Sequence, residues 1–214
     1  MQMEKDIRVA LFEDNFLLRD GYYQLINGTL GLRCVGAFDS ASDLIFKIGS
    51  CKPDVVLMDI DMPGINGVKA TSVIKANFPG IFVVIQTVFE DEDLIFQSIQ
   101  SGANGYILKK SPPLKLLDAI TEVYSGGAPM TPSIANKTLE LFRKGNFPSQ
   151  PREDTVLNGR QQEILECIVS GMSYKLIAEK LFISIETVKY HVKNIYNLLH
   201  VHSRFELISK RDKR

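Results

Sequence analysis

Short apolar runs alternate with longer amphipathic ones through the first 125 residues. The runs 8–12 (RVALF), 33–38 (RCVGAF), 54–59 (DVVLMD), 81–87 (IFVVIQT) and 105–109 (GYILK) read as five strands, several of them apolar throughout. Such strands suit a parallel sheet covered on both faces. Between them, helical spacing of apolar positions covers Phe16–Ile26, Ala41–Ile48, Val68–Ala76, Asp93–Ser101 and Leu114–Tyr124. Five strand–helix repeats predict an open, doubly wound α/β domain with right-handed crossovers. Breakers fall between the elements, at Met62-Pro63-Gly64, Asn77-Phe78-Pro79-Gly80 and Gly102-Ala103-Asn104-Gly105.

The pattern changes after residue 126. Gly126-Gly127, Pro129, Pro132, Pro148 and Pro151 bracket one short helical stretch, Ile134–Phe142, as expected of a linker. From Asn158 onward the periodicity is purely helical. Apolar faces form at Ile164, Leu165, Ile168 and Val169, then at Leu176, Ile177 and Leu181. A third runs through Val188, Val192, Ile195, Leu198 and Leu199, and Leu207 and Ile208 begin a fourth. Asn158, Ser173, Ser184 and Ser203 stand where N-caps belong, and Gly171 where the first of these helices stops. The expected domains are 1–126, a linker at 127–151 with one helix, and a small all-α domain at 152–214.

Composition sharpens this division. A chain of 214 residues with 45% hydrophobic and 23% charged residues has ordinary globular proportions, with material for two cores. No apolar run approaches the roughly 18 residues needed to span a bilayer. The opening MQMEKDIRVALF carries two acids and lacks the pattern of a signal peptide. Cys34, Cys51 and Cys167 form no CxxC, so a reduced, cytoplasmic setting without membrane attachment is expected. The formal net charge of zero conceals 14 basic against 17 acidic residues in 1–150, and 11 against 8 in 151–214. An acidic front and a basic tail suggest two tasks, the second facing an anion.

Ligands of doubly wound sheets bind outside the carboxyl ends of the strands. Those ends carry Glu13 and Asp14, then Asp59, Thr87 and Lys109. Three converging carboxylates repel one another unless a proton or a metal intervenes. Hard oxygen ligands in this number suit Mg²⁺, while Lys109 and Thr87 supply an ammonium and a hydroxyl for phosphoryl oxygens. The set implies phosphoryl transfer to a carboxylate, with Asp59 as nucleophile. Taken singly, each residue has a plainer reading as a turn, cap or surface residue; four at successive strand ends of one short domain are a rarer coincidence.

The segments LFEDN (11–15), DVVLMDIDMPGING (54–67), VVIQT (83–87) and GYILKK (105–110) resemble the receiver domain of two-component response regulators. The resemblance spans residues 7–125 and implies a flavodoxin-like (βα)5 fold. It implies Asp59 as phosphoacceptor and Mg²⁺ held by Asp14, Asp59 and the Asp61 backbone carbonyl, with Glu13 acting through a metal-bound water. Thr87 and Lys109 would contact the phosphoryl group, and Tyr106 would be the aromatic switch; on residues alone Tyr106 reads equally as a half-buried strand aromatic. Val88 and Phe89 are bulkier than the family's usual residues there, which suggests slower attack of water on the acyl phosphate. One enzyme alternative is that Asp59-Ile60-Asp61 resembles the DxD of haloacid dehalogenase-type phosphatases, against which stand its position late in the domain and Pro63.

In the basic part, Ser173–Leu181, Phe182-Ile183 and Ser184–Leu199 have a helix-turn-helix layout, whose second helix enters the major groove of double-stranded DNA. With Val188, Val192, Ile195 and Leu199 facing inward, Lys189 and Lys193 lie one turn apart on another face. Spacing alone favours a solvated face for these lysines. Residues 157–208 resemble the LuxR-type helix-turn-helix of the NarL/FixJ response regulators, through LNGRQQEILECIVSGMSYKLIAEKL and ISIETVKYHVKNIYNLLHVHSRFELI. That resemblance implies base reading by Lys189, Tyr190 and Lys193 and backbone contacts by Thr187, His191, Asn194 and Arg204, with Glu163 structural. His200 and His202 read as surface residues.

The expectation is a DNA-binding transcriptional response regulator and not an enzyme. A sensor histidine kinase or small-molecule phosphodonor would modify Asp59, and the phosphorylated form would be a homodimer. A third reading is a receiver that is never phosphorylated and serves only for dimerisation.

Overall fold

The computed structural model describes residues 6–144, 157–199, 201 and 203–211. His200, His202, Pro148 and Pro151 lie outside the described residues. The chain divides into two compact units, Met1–Val88 with Leu94–Glu140, and Phe89–Asp93 with Leu141–Arg214.

The first unit alternates β1 (Ile7–Phe12), α1 (Phe16–Asn27), β2 (Leu32–Phe38), α2 (Leu44–Cys51), β3 (Val55–Met58), α3 (Gly67–Asn77), β4 (Phe82–Thr87), α4 (Glu92–Gln100), β5 (Gly105–Leu108) and α5 (Pro113–Tyr124), then adds α6 (Pro132–Lys144). The start of α4, Glu92–Asp93, and the end of α6, from Leu141, are grouped with the second unit. All strand pairs are parallel, in the order β2-β1-β3-β4-β5. The order reverses between β1 and β3, which opens a crevice at their carboxyl ends.

Apolar strands form here because both faces are covered. Val9, Leu11, Val55, Leu57, Val84 and Ile107 pack with Ile26 of α1 and Leu116, Ile120 and Val123 of α5 in one core. The alternate residues Ala10, Phe12, Val56, Met58, Val83 and Ile85 are as fully buried on the opposite face. A fully buried Val, Leu or Ile contributes about 1.5–3 kcal/mol, so this sheet dominates the unit's stability.

Two elements differ from the sequence expectation. Helix α2 begins at Leu44, not Ala41. Ser40 Oγ bonds Asp39 and Ser42 at 3.1 Å each, and Asp43 adopts a left-handed φ of 49°. Local side-chain bonds thus compete with the first helical turn. In the linker, residues 129–131 pair with β5. The Tyr106 N–H donates to Pro129 O at 2.9 Å and the Thr131 N–H to Tyr106 O at 3.3 Å, a parallel bridge between Tyr106 and Met130.

The second unit contains α7 (Gly159–Val169), α8 (Tyr174–Leu181), α9 (Ile185–Leu199) and α10 (Arg204–Arg211). Ile164, Ile168, Ile177, Val188, Val192, Ile195 and Leu207 form its core. Isolated helices shorter than about 12–15 residues are marginal in water, so capping matters here. The Asn158 side chain accepts from Gln161 N at 2.8 Å, and Gln161 Oε1 accepts from Asn158 N at 3.0 Å, a complete capping box. Ser173, Ser184 and Ser203 accept from Leu176, Thr187 and Glu206 N–H groups. Gly171, at φ 85°, ends the first helix.

Asn158→Ala removes the side-chain half of the capping box, the acceptor for the Gln161 N–H, and keeps the backbone N–H that donates to Gln161 Oε1. It is expected to destabilise the second unit by about 1 kcal/mol, read as a lower denaturant midpoint, with the first unit unaffected.

Candidate functional site

The loops after β1 and β3 bring three acids together. Glu13, Asp14 and Asp59 each offer an oxygen, and these oxygens lie within 4.8 Å of one another. Glu13 and Asp59 are buried, Asp14 exposed. Lys109, following β5, places Nζ 2.6 Å from Glu13 Oε2 and 2.8 Å from Asp59 Oδ2. Asp59 Oδ1 accepts the Ile60 N–H at 2.7 Å. Thr87, at the end of β4, is fully buried, and its carbonyl accepts the Lys109 N–H at 2.8 Å.

The electrostatics follow from burial. Desolvation raises the Asp59 carboxyl above its ordinary range, opposed by the Lys109 ammonium and the Ile60 N–H. Glu13 is raised by burial and by Asp59. Burial pulls Lys109 down, but its two carboxylate partners together carry it above the usual lysine value. One ammonium facing three carboxylates leaves the site short of positive charge. An all-oxygen donor set in this deficit fits a hard divalent cation. The buried Glu13 Oε2 has no hydrogen-bond partner beyond its ion pair with Lys109. The Asp61 side chain is not part of this acidic group.

Several residues that sequence reasoning passed over hold these groups in place. Asn15 caps α1 by accepting the Leu18 N–H at 3.2 Å. The Arg19 guanidinium donates to the carbonyls of Glu13, at 2.6 Å, and Asp14, at 3.2 Å, fixing the loop that carries both acids. Gly67 is decisive. A Cβ there would lie 1.9 Å from Asp59 O, so only glycine lets the α3 start close behind Asp59. The Gly67 N–H also donates to Ile60 O at 3.0 Å. The clue in the sequence was a second glycine three residues after Gly64, too common a spacing to single out. Tyr106 is 1% exposed, so its ring is buried rather than half-buried.

In the second unit, α9 turns Val188, Val192 and Ile195 into the core and leaves Lys189 and Lys193 exposed. Asn194 is half-buried. Thr187 is buried, its hydroxyl 2.9 Å from Ser184 Oγ. Tyr190 and His191 are also buried. The Tyr190 ring lies 4.9 Å from that of Phe89, and His191 Nε2 lies 3.6 Å from Asp91, which also pairs with Arg160 at 3.4 Å. Phe89 is thus packed on Tyr190 within this unit. The Arg204 guanidinium donates to the carbonyls of Ile168 and Met172, closing the end of α7. Arg160 pairs with Glu163 at 2.8 Å on α7.

Residues 9–121 match the response regulator receiver domain, and residues 155–210 match the LuxR family of bacterial regulatory proteins. The chain belongs to the NarL/FixJ family of response regulators. The regulator is 33% identical over 207 residues to the oxygen regulatory protein NreC of Staphylococcus epidermidis, covering 94% of this chain and 95% of that one. It is 35% identical over 208 residues to the transcriptional regulatory protein YxjL of Bacillus subtilis, covering 96% and 95%. Among solved structures it is similar to the response regulator ChrA of a heme-sensing two-component system, with 33% identity, a TM-score of 0.53 and 97% of each chain covered. The family is one of DNA-binding transcriptional regulators and not of enzymes, so the haloacid dehalogenase reading of Asp59-Ile60-Asp61 falls. No helix among the described residues is long and apolar enough to cross a membrane.

Gly67→Ala forces the β3–α3 loop away from Asp59. The expected result is a loss of about 1–3 kcal/mol of stability in denaturant unfolding of the first unit, the range for overpacking a tight site. An unchanged midpoint would show that the loop absorbs the methyl group freely.

Proposed function

We propose that Asp59 is the phosphoacceptor through which the regulator's DNA binding is controlled. The observation that carries this reading is the gathering of Glu13, Asp14, Asp59 and Lys109 at the crevice between β1 and β3. An oxygen of Asp59 forms the new bond to phosphorus as the donor's own bond to phosphorus breaks, leaving an acyl phosphate. The donor is the phosphohistidine of a sensor kinase or a small acyl phosphate. Lys109 holds the attacking carboxylate in place beforehand and neutralises phosphoryl charge afterwards. The Thr87 hydroxyl and Tyr106 are the groups that respond. Mg²⁺, held by Asp14, Asp59 and the Asp61 carbonyl with Glu13 acting through a metal-bound water, would supply the positive charge that Lys109 alone does not.

The modification adds up to about two negative charges beside a buried ammonium. That change biases a two-state surface and favours a homodimer that sets paired helices on successive half-sites of DNA. On α9, Lys189 and Lys193 supply the outward positive charge and the reach to base edges, with Asn194 beside them. The family likeness assigns base reading to Tyr190 and backbone contacts to Thr187, His191 and Arg204, although Thr187, Tyr190 and His191 are buried here. In this structure their side chains also brace α9 and its neighbours. A cytoplasmic location agrees with DNA as target. The domains read as a receiver at 1–126, a linker at 127–151 and the DNA-binding part at 152–214.

Asp59→Asn is expected to abolish phosphoryl uptake from acetyl phosphate with Mg²⁺, measured by intact mass. In parallel, Mg²⁺ should raise the thermal midpoint of the wild type, by the equivalent of about 2.7 kcal/mol at a hundredfold excess over its Kd, and raise that of Asp59→Asn much less. Retained labelling would move the acceptor elsewhere. A wild type that takes up nothing would favour the receiver as a dimerisation platform only.

Lys193→Ala is expected to weaken binding to selected DNA by about 1–3 kcal/mol if the side chain reads a base. An equal loss on random-sequence DNA, with a shallower salt dependence, would make it a phosphate contact.

A further inference from the structure

We infer that residues 129–131 form a transmission strand, admitted to the sheet edge by Gly105, that ties the backbone of Tyr106 to helix α6. The inference rests on the reading of Asp59 and Tyr106 given above and names the part of the chain that passes the signal on.

Gly105 is the first clue. Its φ is not positive, so its backbone does not call for glycine. What calls for it is the linker. A Cβ at 105 would stand 2.8 Å from both the carbonyl oxygen and the ring of Pro129. Any other residue there closes the edge of β5 to the linker. With glycine in place, both backbone polar groups of Tyr106 are taken by the linker, its N–H by Pro129 O and its carbonyl by the Thr131 N–H. The residue whose ring is read as the switch is thus the residue whose backbone holds the linker.

The link to α6 leaves no slack. Thr131 uses its N–H in the strand and its carbonyl to accept the Ala135 N–H, so one residue ends the strand and starts the helix. Pro132 begins α6 with its φ already set for a helix. Thr138, nearly two turns further on, reaches back to Met130 Sδ at 3.8 Å, and Ile134 is fully buried. On the other side, Gly126, at φ 90°, breaks the chain between α5 and the strand. Upstream, the Gly126 and Gly127 N–H groups close the end of α5 on Val123 O and Glu122 O, so the segment starts from a fixed cap and is joined directly to α6 downstream. A strand held by two hydrogen bonds can open and close, whereas a full ladder cannot. A shift of Tyr106 therefore moves or releases α6, from which the chain runs on to the DNA-binding helices. Mere protection of an exposed sheet edge would need the same pairing but no response to phosphorylation.

The test uses the full chain, acetyl phosphate with Mg²⁺, and DNA selected by the wild type from a random pool. Gly105→Val pushes the linker off the edge, and Thr131→Pro deletes one linker donor without adding bulk to the sheet. Both variants should take up phosphoryl groups at Asp59 as the wild type does, which also reports an intact first unit. The gain in DNA affinity on phosphorylation, about 5–150-fold for typical coupling between sites, should fall to less than about twofold in both. Amide hydrogen exchange on the unaltered wild type gives a second measure, since the amides of Tyr106 and Thr131 should change protection together on phosphorylation. A labelled variant that keeps the full wild-type gain would overturn the inference, as would a labelled wild type with unchanged exchange at both amides. A wild type that takes up no phosphoryl group would sink the reading of Asp59 and this one with it.

Discussion

Repulsion among carboxylates is the constraint around which the first unit is arranged. Glu13 and Asp59 are buried close together, and at an effective dielectric of about 20 two such charges at 4 Å repel by about 4 kcal/mol. The sheet imposes the meeting, because the reversal of strand order sends the chain out of β1 and β3 into one crevice. Lys109 answers part of that charge, Asn15 and Arg19 fix one acidic loop, and Gly67 lets α3 close behind the other. None of this contributes much to folding. The apolar core on both faces of the sheet holds these acids together despite their repulsion.

Most of this was legible in the sequence because the strands are buried on both faces. An apolar run of five or six residues admits few readings, and its last residue marks where a crevice side chain begins. Lys109, Thr87, Asp59 and the Glu13–Asp14 pair were found that way. The start of α2 was not, because Ser40 and its neighbours bond to one another in a manner that hydrophobic spacing does not record. The linker strand was invisible for a related reason. A single bridge carries no periodicity, and its signature, a glycine at 105 with an ordinary φ, makes sense only beside Pro129.

In the second unit, caps and apolar faces were readable because short helices need both. The outward placement of Lys189 and Lys193 follows from the inward faces of Val188 and Val192. The surroundings of Tyr190, His191 and Arg204 do not follow from helical spacing. Tyr190 and His191 meet residues about a hundred positions away, at Phe89 and Asp91, and the Arg204 guanidinium is taken up by carbonyls at the end of α7. Likeness to a family assigns such positions a role by alignment alone, and packing decides which atoms of them face outward.

That distinction bears on how the regulator reads DNA. Among its described residues α9 has more buried positions than exposed ones, so its sequence is specified chiefly by its fit to its own unit. Its exposed cations, Lys189 and Lys193, are flexible point charges rather than planar forks. Such side chains provide salt-dependent affinity readily and sequence discrimination less so. Discrimination then depends on how accurately α9 is held, and therefore on the Ser184–Thr187 hydroxyl pair at its start and the core beneath it. In the proposed dimer it would also gain from two copies together, since an error tolerated by one helix is multiplied across two half-sites. If phosphorylation of Asp59 controls dimerisation, as proposed, it controls specificity as well as affinity.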